Sequence, residues 1–273
     1  MNYDRYAEDP LTSPLLNGNA SSLGGNGEKD ATYKGVPQQG RKPNIIATGG
    51  GGGCVTSGPF SESVKTNPFL LSTPSDSNPT SHSMVVSLGP TSMSTASRAV
   101  PRNPRSDGTG SNPRCLRRDV NRNAAMGATA DRALSLLQNK DMDGFYNQLL
   151  GSPPPKNDPY PWGIHTAGHY VAAVDPGGDP NTSPGDPVFY FHHTALDRLW
   201  WVWQMQEVEE RLNVLPFVNS SMSMPMTRER RGMEGTDPLD SMVDMEWLGP
   251  PIQLRETHDQ LGGNGGKFCY VYV

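Results

Sequence analysis

The run Asp186-Pro-Val-Phe-Tyr-Phe-His-His-Thr-Ala-Leu-Asp-Arg-Leu-Trp-Trp-Val-Trp-Gln204 leaves the chain fewer choices of fold than any other stretch. Asp186 has the side chain of an N-cap, and Pro187 suits the first helical position, where its missing N–H costs nothing. The apolar run beyond is free of glycine and proline, so the expected helix continues to about Arg211. Along it Leu196, Leu199, Trp200 and Trp203 fall at i, i+3, i+4 and i+7, a stripe that belongs against a core. A second helical run, Ile164-His-Thr-Ala-Gly-His169, lies upstream and is expected to reach about Val174. There Asp175-Pro-Gly-Gly-Asp-Pro180 breaks it, because proline disfavours helix at the preceding residue and glycine ends helices cheaply. The chain must turn, and the two helices lie back to back.

Residues four apart on a helix leave one face about a turn apart, so His165 and His169 form a two-ligand metal half-site. His192 and His193 are neighbours on the next helix and point roughly 100° apart. One of them enters a small coordination sphere; the other packs or hydrogen-bonds. Three imidazoles suit copper, zinc, iron or nickel, and the spacing does not choose among them. A zinc hydrolase of the His-Glu-x-x-His type lacks its general base here, since Thr166 follows the first histidine. Asp197 stands four residues after His193 on the same side of the helix. Its carboxylate either orients an imidazole or pairs with Arg198 or Arg211 to tie helices together.

The pair His165-x-x-x-His169 followed by Ser183-Pro-Gly-Asp-Pro-Val-Phe-Tyr-Phe-His-His-Thr-Ala-Leu-Asp-Arg-Leu-Trp-Trp201 resembles the second copper-binding half of tyrosinases and catechol oxidases, the fungal ones especially. The resemblance implies a mainly α fold, part of a four-helix bundle around a type 3 pair of copper ions with three histidines per copper. It implies His165, His169 and His193 as metal ligands, with His192 and Asp197 as candidates for the shell around them. The reaction it implies is O2-dependent oxidation of o-diphenols, with monophenols as further candidates, to o-quinones. Thr166 stands where members that readily hydroxylate monophenols often carry asparagine, which favours diphenols.

Other segments carry the same resemblance. Arg5 to Leu15 resembles the segment after the family's first copper half, and Asn112 to Asp119 the stretch before the second. Gly50 to Phe60 resembles a segment that leads directly into something like Met84 to Pro90, which makes residues 61–83 an insertion. Lys267 to Val273 resembles the end of the catalytic domain, a short strand whose Cys269 is expected to bond a cysteine near the family N-terminus. Before residue 160 the only histidine is His82, so the ligands of a first copper are missing. Two readings follow: an oxidase whose first half is absent from this sequence, and a non-enzymatic remnant or pseudoenzyme holding one copper or zinc. Apolar faces left bare by missing helices would be covered by that half or by a homodimer, which would also bring two half-sites together.

Composition sorts the rest. The 30 glycines and 26 prolines make about a fifth of the chain, against roughly an eighth in average proteins. All five tryptophans and five of the six histidines follow residue 160. Residues 1–97 are therefore expected to be loop-rich, with 61–83 partly disordered, and residues 98–273 to form the copper-binding domain that the resemblance implies, its core at 126–215. Within that domain Thr129 is expected to cap a helix to about Asn139, and Asp141 or Asp143 to start another ending at Leu150. The run Gly49 to Gly53 lacks the Gly-Lys-Ser/Thr ending of a phosphate loop and reads as a flexible turn. Seven arginines between Arg98 and Arg122 have no aromatics among them for base stacking and read as a solvated loop, so no nucleic-acid partner is expected. A net charge of −5 agrees. No apolar run approaches the about 20 residues of a membrane span, and the N-terminus lacks the basic start and apolar stretch of a signal peptide. Taken literally the chain stays intracellular, although a full-length relative would be expected to be secreted. Three Asn-x-Ser sequons, at Asn19, Asn181 and Asn219, matter only in the secretory pathway. Met222, Met224 and Met226 read as a loop with some capacity for Cu(I). The three cysteines leave at least one unpaired, and a Cys54–Cys115 disulfide is compatible with the spacing without following from it.

Overall fold

The computed structural model describes residues 3–37, 44–59, 85–86, 103–106, 110–112, 114–151, 158–179, 182–216, 238–245, 248–263 and 266–272. The proposed insertion at 61–83, His82, the methionine cluster, Arg98, Arg102 and the sequons at Asn181 and Asn219 lie outside the described residues. The regular structure is mainly helical: α1 (Tyr3–Tyr6), α2 (Arg122–Ala125), α3 (Ala130–Leu137), α4 (Met142–Leu150), α5 (Ile164–Val171), α6 (Val188–Gln204), α7 (Val208–Arg211) and α8 (Arg255–His258). Short strands pair as antiparallel two-stranded ribbons: β1 (Gly35–Pro37) with β2 (Ile45–Ala47), β3 (Val85–Val86) with β4 (Arg114–Cys115), β5 (Arg117–Val120) with β6 (Ala172–Asp175), and β7 (Met242–Val243) with β8 (Ile252–Gln253). No described helix is long and apolar enough to cross a membrane. The chain divides into two compact units, residues 1–136 with 148–196, and residues 137–147 with 197–273.

The first unit is built around β5 and β6, paired from Arg117 opposite Asp175 to Val120 opposite Ala172. This ribbon corrects the expectation that the His165 helix reaches Val174. Helix α5 stops at Val171, whose carbonyl accepts from the Asn121 amide at 3.0 Å, and Ala172 to Val174 continue as a fully buried strand. Small apolar residues compatible with either state went to the one that gave their backbone a ladder partner. Asn121 then caps α2, its side chain accepting from the amides of Asn123 and Ala124.

Two further expectations are corrected in this unit. The glycine run is no flexible turn: it wraps the buried carboxylate of Asp119, which accepts from the amides of Gly49 and Gly51 and the hydroxyl of Thr48 at 2.9 to 3.0 Å. Bonds to an ionised acceptor are roughly twice as strong as neutral ones, and they hold the run in place. Nor are the central arginines solvated. Arg114 grips Asp175 through Nε and Nη2 at 2.6 and 2.8 Å, Arg117 reaches Asp30 and the Gly52 carbonyl, and Arg118, fully buried, grips Asp186. The segment also carries a Cys54–Cys115 disulfide, while Cys269 is free and exposed.

Thr129 and Asp141 act as the sequence suggests. The Thr129 carbonyl and hydroxyl accept from Ala133 and Arg132 at the start of α3, and Asp141 Oδ1 accepts from the Gly144 amide at the start of α4. Gly151 closes α4 in the left-handed region at φ +69°.

The second unit centres on Trp203, fully buried, with Phe145 at 4.9 Å between ring centroids. Helix α6 ends at Gln204 rather than continuing to Arg211. The cause is Arg211 itself, whose guanidinium lies 4.2 Å from the Trp203 ring while Nη1 donates to the Trp203 carbonyl at 2.7 Å. Eight residues of unbroken helix would separate the two by about 12 Å, so the chain breaks, turns, and restarts as α7. Residues 266–272 form no strand, against expectation. The tail is held without a ladder: the Tyr270 amide donates to the Gln260 carbonyl at 3.0 Å, and the Tyr270 and Tyr272 hydroxyls donate to the Asp197 carboxylate.

Candidate metal centre

His165 and His169 project from α5 and His193 from α6, all within the first unit. The His165 and His169 Nε2 atoms are 3.2 Å apart, and those of His169 and His193 are 3.3 Å apart. Metal–imidazole bonds of about 2.0–2.1 Å in a tetrahedral arrangement put donor nitrogens about 3.3 Å from one another. Both separations therefore suit donors to one metal ion. With His192 these residues make a four-histidine cluster whose candidate donor atoms lie within 4.8 Å of one another.

The local fold prepares the donors. Burial and then repulsion from His193 push His165 down to about 4; burial, followed by repulsion from His165 and His193, takes His169 to about 3. Burial also lowers His193. All three rings are neutral at pH 7, which is the ligating form. A backbone contact with Gly177 acts in the opposite sense and raises His169, without outweighing burial. Phe189, one turn before His193, packs on its ring at 4.1 Å between centroids. Asp186 caps α6 through the Val188 amide at 2.9 Å and is itself held by Arg118.

Of the residues singled out from sequence, His165, His169 and His193 come together. His192 is buried among them, with Nε2 3.0 Å from the His165 carbonyl oxygen. Asp197 belongs to the second unit, where its carboxylate accepts from Gln260 at 3.0 Å, Tyr270 at 2.8 Å and Tyr272. Thr166 donates its hydroxyl to the Leu150 carbonyl at 3.3 Å. Sequence reasoning missed Gly177, whose contribution is a backbone atom and leaves no mark in residue type. It also missed Phe189, although its position four residues before His193 on a helix was a usable sign.

Residues 2–206 match the family model for the common central domain of tyrosinase, and the chain belongs to the tyrosinase family. The tyrosinase-like protein orsC of Emericella nidulans is 33% identical over 221 residues, covering 77% of this chain and 51% of that protein. Tyrosinase P of Aspergillus terreus is 29% identical over 266 residues, 96% of this chain and 64% of its own length. A polyphenol oxidase structure from Thermothelomyces thermophila superposes with a TM-score of 0.69 at 29% identity, covering 99% of this chain and 64% of that one. The chain thus spans about half to two thirds of the length of these relatives. The family is copper-dependent, and the histidine cluster is of the kind such a metal needs.

Proposed function

We propose that this chain carries one copper site of an oxidase that converts o-diphenols to o-quinones with O2, and that His165, His169 and His193 hold the ion through Nε2. The observation that carries the reading is the convergence of three imidazole nitrogens, His169 Nε2 lying 3.2 Å from that of His165 and 3.3 Å from that of His193. Copper, when bound, passes electrons from the diphenol to O2. Each diphenol gives up two electrons and two protons, and reduction of one O2 to water consumes what two diphenols release. The protein's part is to hold the three rings, with Phe189 packed on the His193 ring. Helices α5 and α6 serve as two of the four helices of a copper bundle, within a copper-binding domain at 98–273. The preference for diphenols over monophenols rests on Thr166, which stands where members that readily hydroxylate monophenols often carry asparagine.

A second reading is a chain that binds one metal ion without turnover. It is favoured by the histidine inventory of the sequence, six in all, of which four gather here and His258 is taken up in the other unit by the Leu212 carbonyl at 3.2 Å. Copper stoichiometry and O2 uptake with 4-methylcatechol separate the two. One copper ion per chain with uptake supports the oxidase; one ion and no uptake support the second reading; no copper bound refutes both.

A further inference from the structure

One ring of the cluster is already committed to the protein. His192 is 1% exposed, and its Nε2 lies 3.0 Å from the carbonyl oxygen of His165. A carbonyl oxygen only accepts, so this nitrogen carries the proton and offers no lone pair to a metal. The ring sits directly on Gly168, where an added Cβ would stand 2.1 Å from Cε1 and 2.3 Å from Nδ1. Any larger residue at 168 would evict it. It also lies nearly parallel to the His165 ring, at 22° and 5.8 Å between centroids. The contact spans two elements, for His192 precedes His193 on α6 and the carbonyl it holds belongs to His165 on α5.

We propose that His192 is a positioning residue and not a ligand. Its Nε2–H bond to the His165 carbonyl and its seat on Gly168 hold α5 and α6 at the separation where the nitrogens of His165, His169 and His193 converge. The inference rests on those three forming the ligand set. Without the bond the helices are free to shift by fractions of an ångström, enough to spoil donor separations of 3.2 and 3.3 Å. Losing an outer contact of this kind costs roughly 10–100-fold in metal affinity.

The test is a Co2+ titration of the metal-free chain, wild type against His192→Phe, His192→Gln and Gly168→Ala, followed through the visible absorption bands of the bound ion. His192→Phe and Gly168→Ala are expected to bind roughly 10–100-fold more weakly, with a saturated spectrum unchanged in shape and intensity. His192→Gln, whose amide can donate to the same carbonyl, recovers most of that affinity. A changed saturated spectrum in His192→Phe makes His192 a ligand and overturns the proposal, as does unchanged affinity. Should the Phe variant fail to fold, Gly168→Ala and His192→Gln carry the comparison. A separate readout needs no metal: ring 15N shifts of histidine-labelled chain are expected to show His192 protonated at Nε2, and protonation at Nδ1 alone refutes the clamp. If the wild type binds no Co2+, the ligand set fails and the tautomer still decides the clamp.

Discussion

Replacing Arg118 with leucine should be among the most damaging single changes in the first unit. The guanidinium is fully buried. It donates from Nε and Nη2 to Asp186 at 2.8 and 2.6 Å, and from Nη1 to the carbonyls of Leu23 and Gly24 at 2.7 and 3.2 Å. Leucine fills part of the volume and leaves the carboxylate of Asp186, 1% exposed, buried without a counter-charge. Breaking a buried pair in this way costs about 3–5 kcal/mol, and at roughly 2–4 °C per kcal/mol for a chain of this size the melting point should fall by about 6–20 °C. Arg118→Leu combined with Asp186→Asn should recover more than half of the loss, because asparagine still caps Val188 but carries no charge to strand. Urea unfolding of the metal-free chain measures both, and the non-additivity isolates the pair. A loss below about 1 kcal/mol for Arg118→Leu, or a double variant as unstable as the sum of the singles, would refute the reasoning.

Three further outcomes are expected. Gly127→Ala places a Cβ 2.1 Å from Cδ1 of Trp162, whose Nε1 donates to the Ala124 carbonyl at 2.8 Å; overpacking should cost about 1–3 kcal/mol and shift the tryptophan emission, while an unshifted spectrum and melt would contradict the packing. Removing the Cys54–Cys115 disulfide, which spans 61 residues, should cost up to about 4 kcal/mol by the loop-entropy relation, read from urea midpoints of the Cys54→Ala/Cys115→Ala variant. The metal-free chain should lose stability as pH falls. His165 and His169 titrate near 4 and 3 when folded and near about 6.5 when unfolded, so the unfolded state binds their protons first; stability is complete above about pH 6.5 and drains away towards pH 4 and then 3. Melts from pH 8 to 4 should show the slope, and His165→Gln should flatten it; an equal slope in that variant would assign the effect elsewhere.

Local chemistry was legible in the sequence wherever one side chain acts on its own neighbourhood. Asp186, Thr129 and Asp141 could be read as helix starts because a cap acts within three residues, and His165 with His169 as one face because helical spacing is fixed. What could not be read depended on groups far apart in the chain. The end of α5 is set by the β5 ladder some fifty residues earlier, and the end of α6 by Arg211 returning to Trp203. The arginines near β5 read as solvated because Asp175 and Asp186, which bury them, lie some sixty residues downstream. The rigidity of the glycine run depends on Asp119 in the same way. The C-terminal tail looked strand-like from its alternation, yet its tyrosines found a carboxylate before any strand partner.

Strand β5 and the residue after it touch both ends of the link that joins the two histidine-bearing helices. Asn121 and the ladder hold the exit of α5, and Arg118 holds Asp186 at the entrance of α6. The donor spacing is thereby uncoupled from the length of the connecting segment. Residues added between Asp179 and Thr182 would lengthen a segment whose two ends are already anchored, and doubling a loop adds only about 0.6 kcal/mol of closure entropy. A variant of this chain with a longer connection there is expected to keep the same separation between its imidazoles.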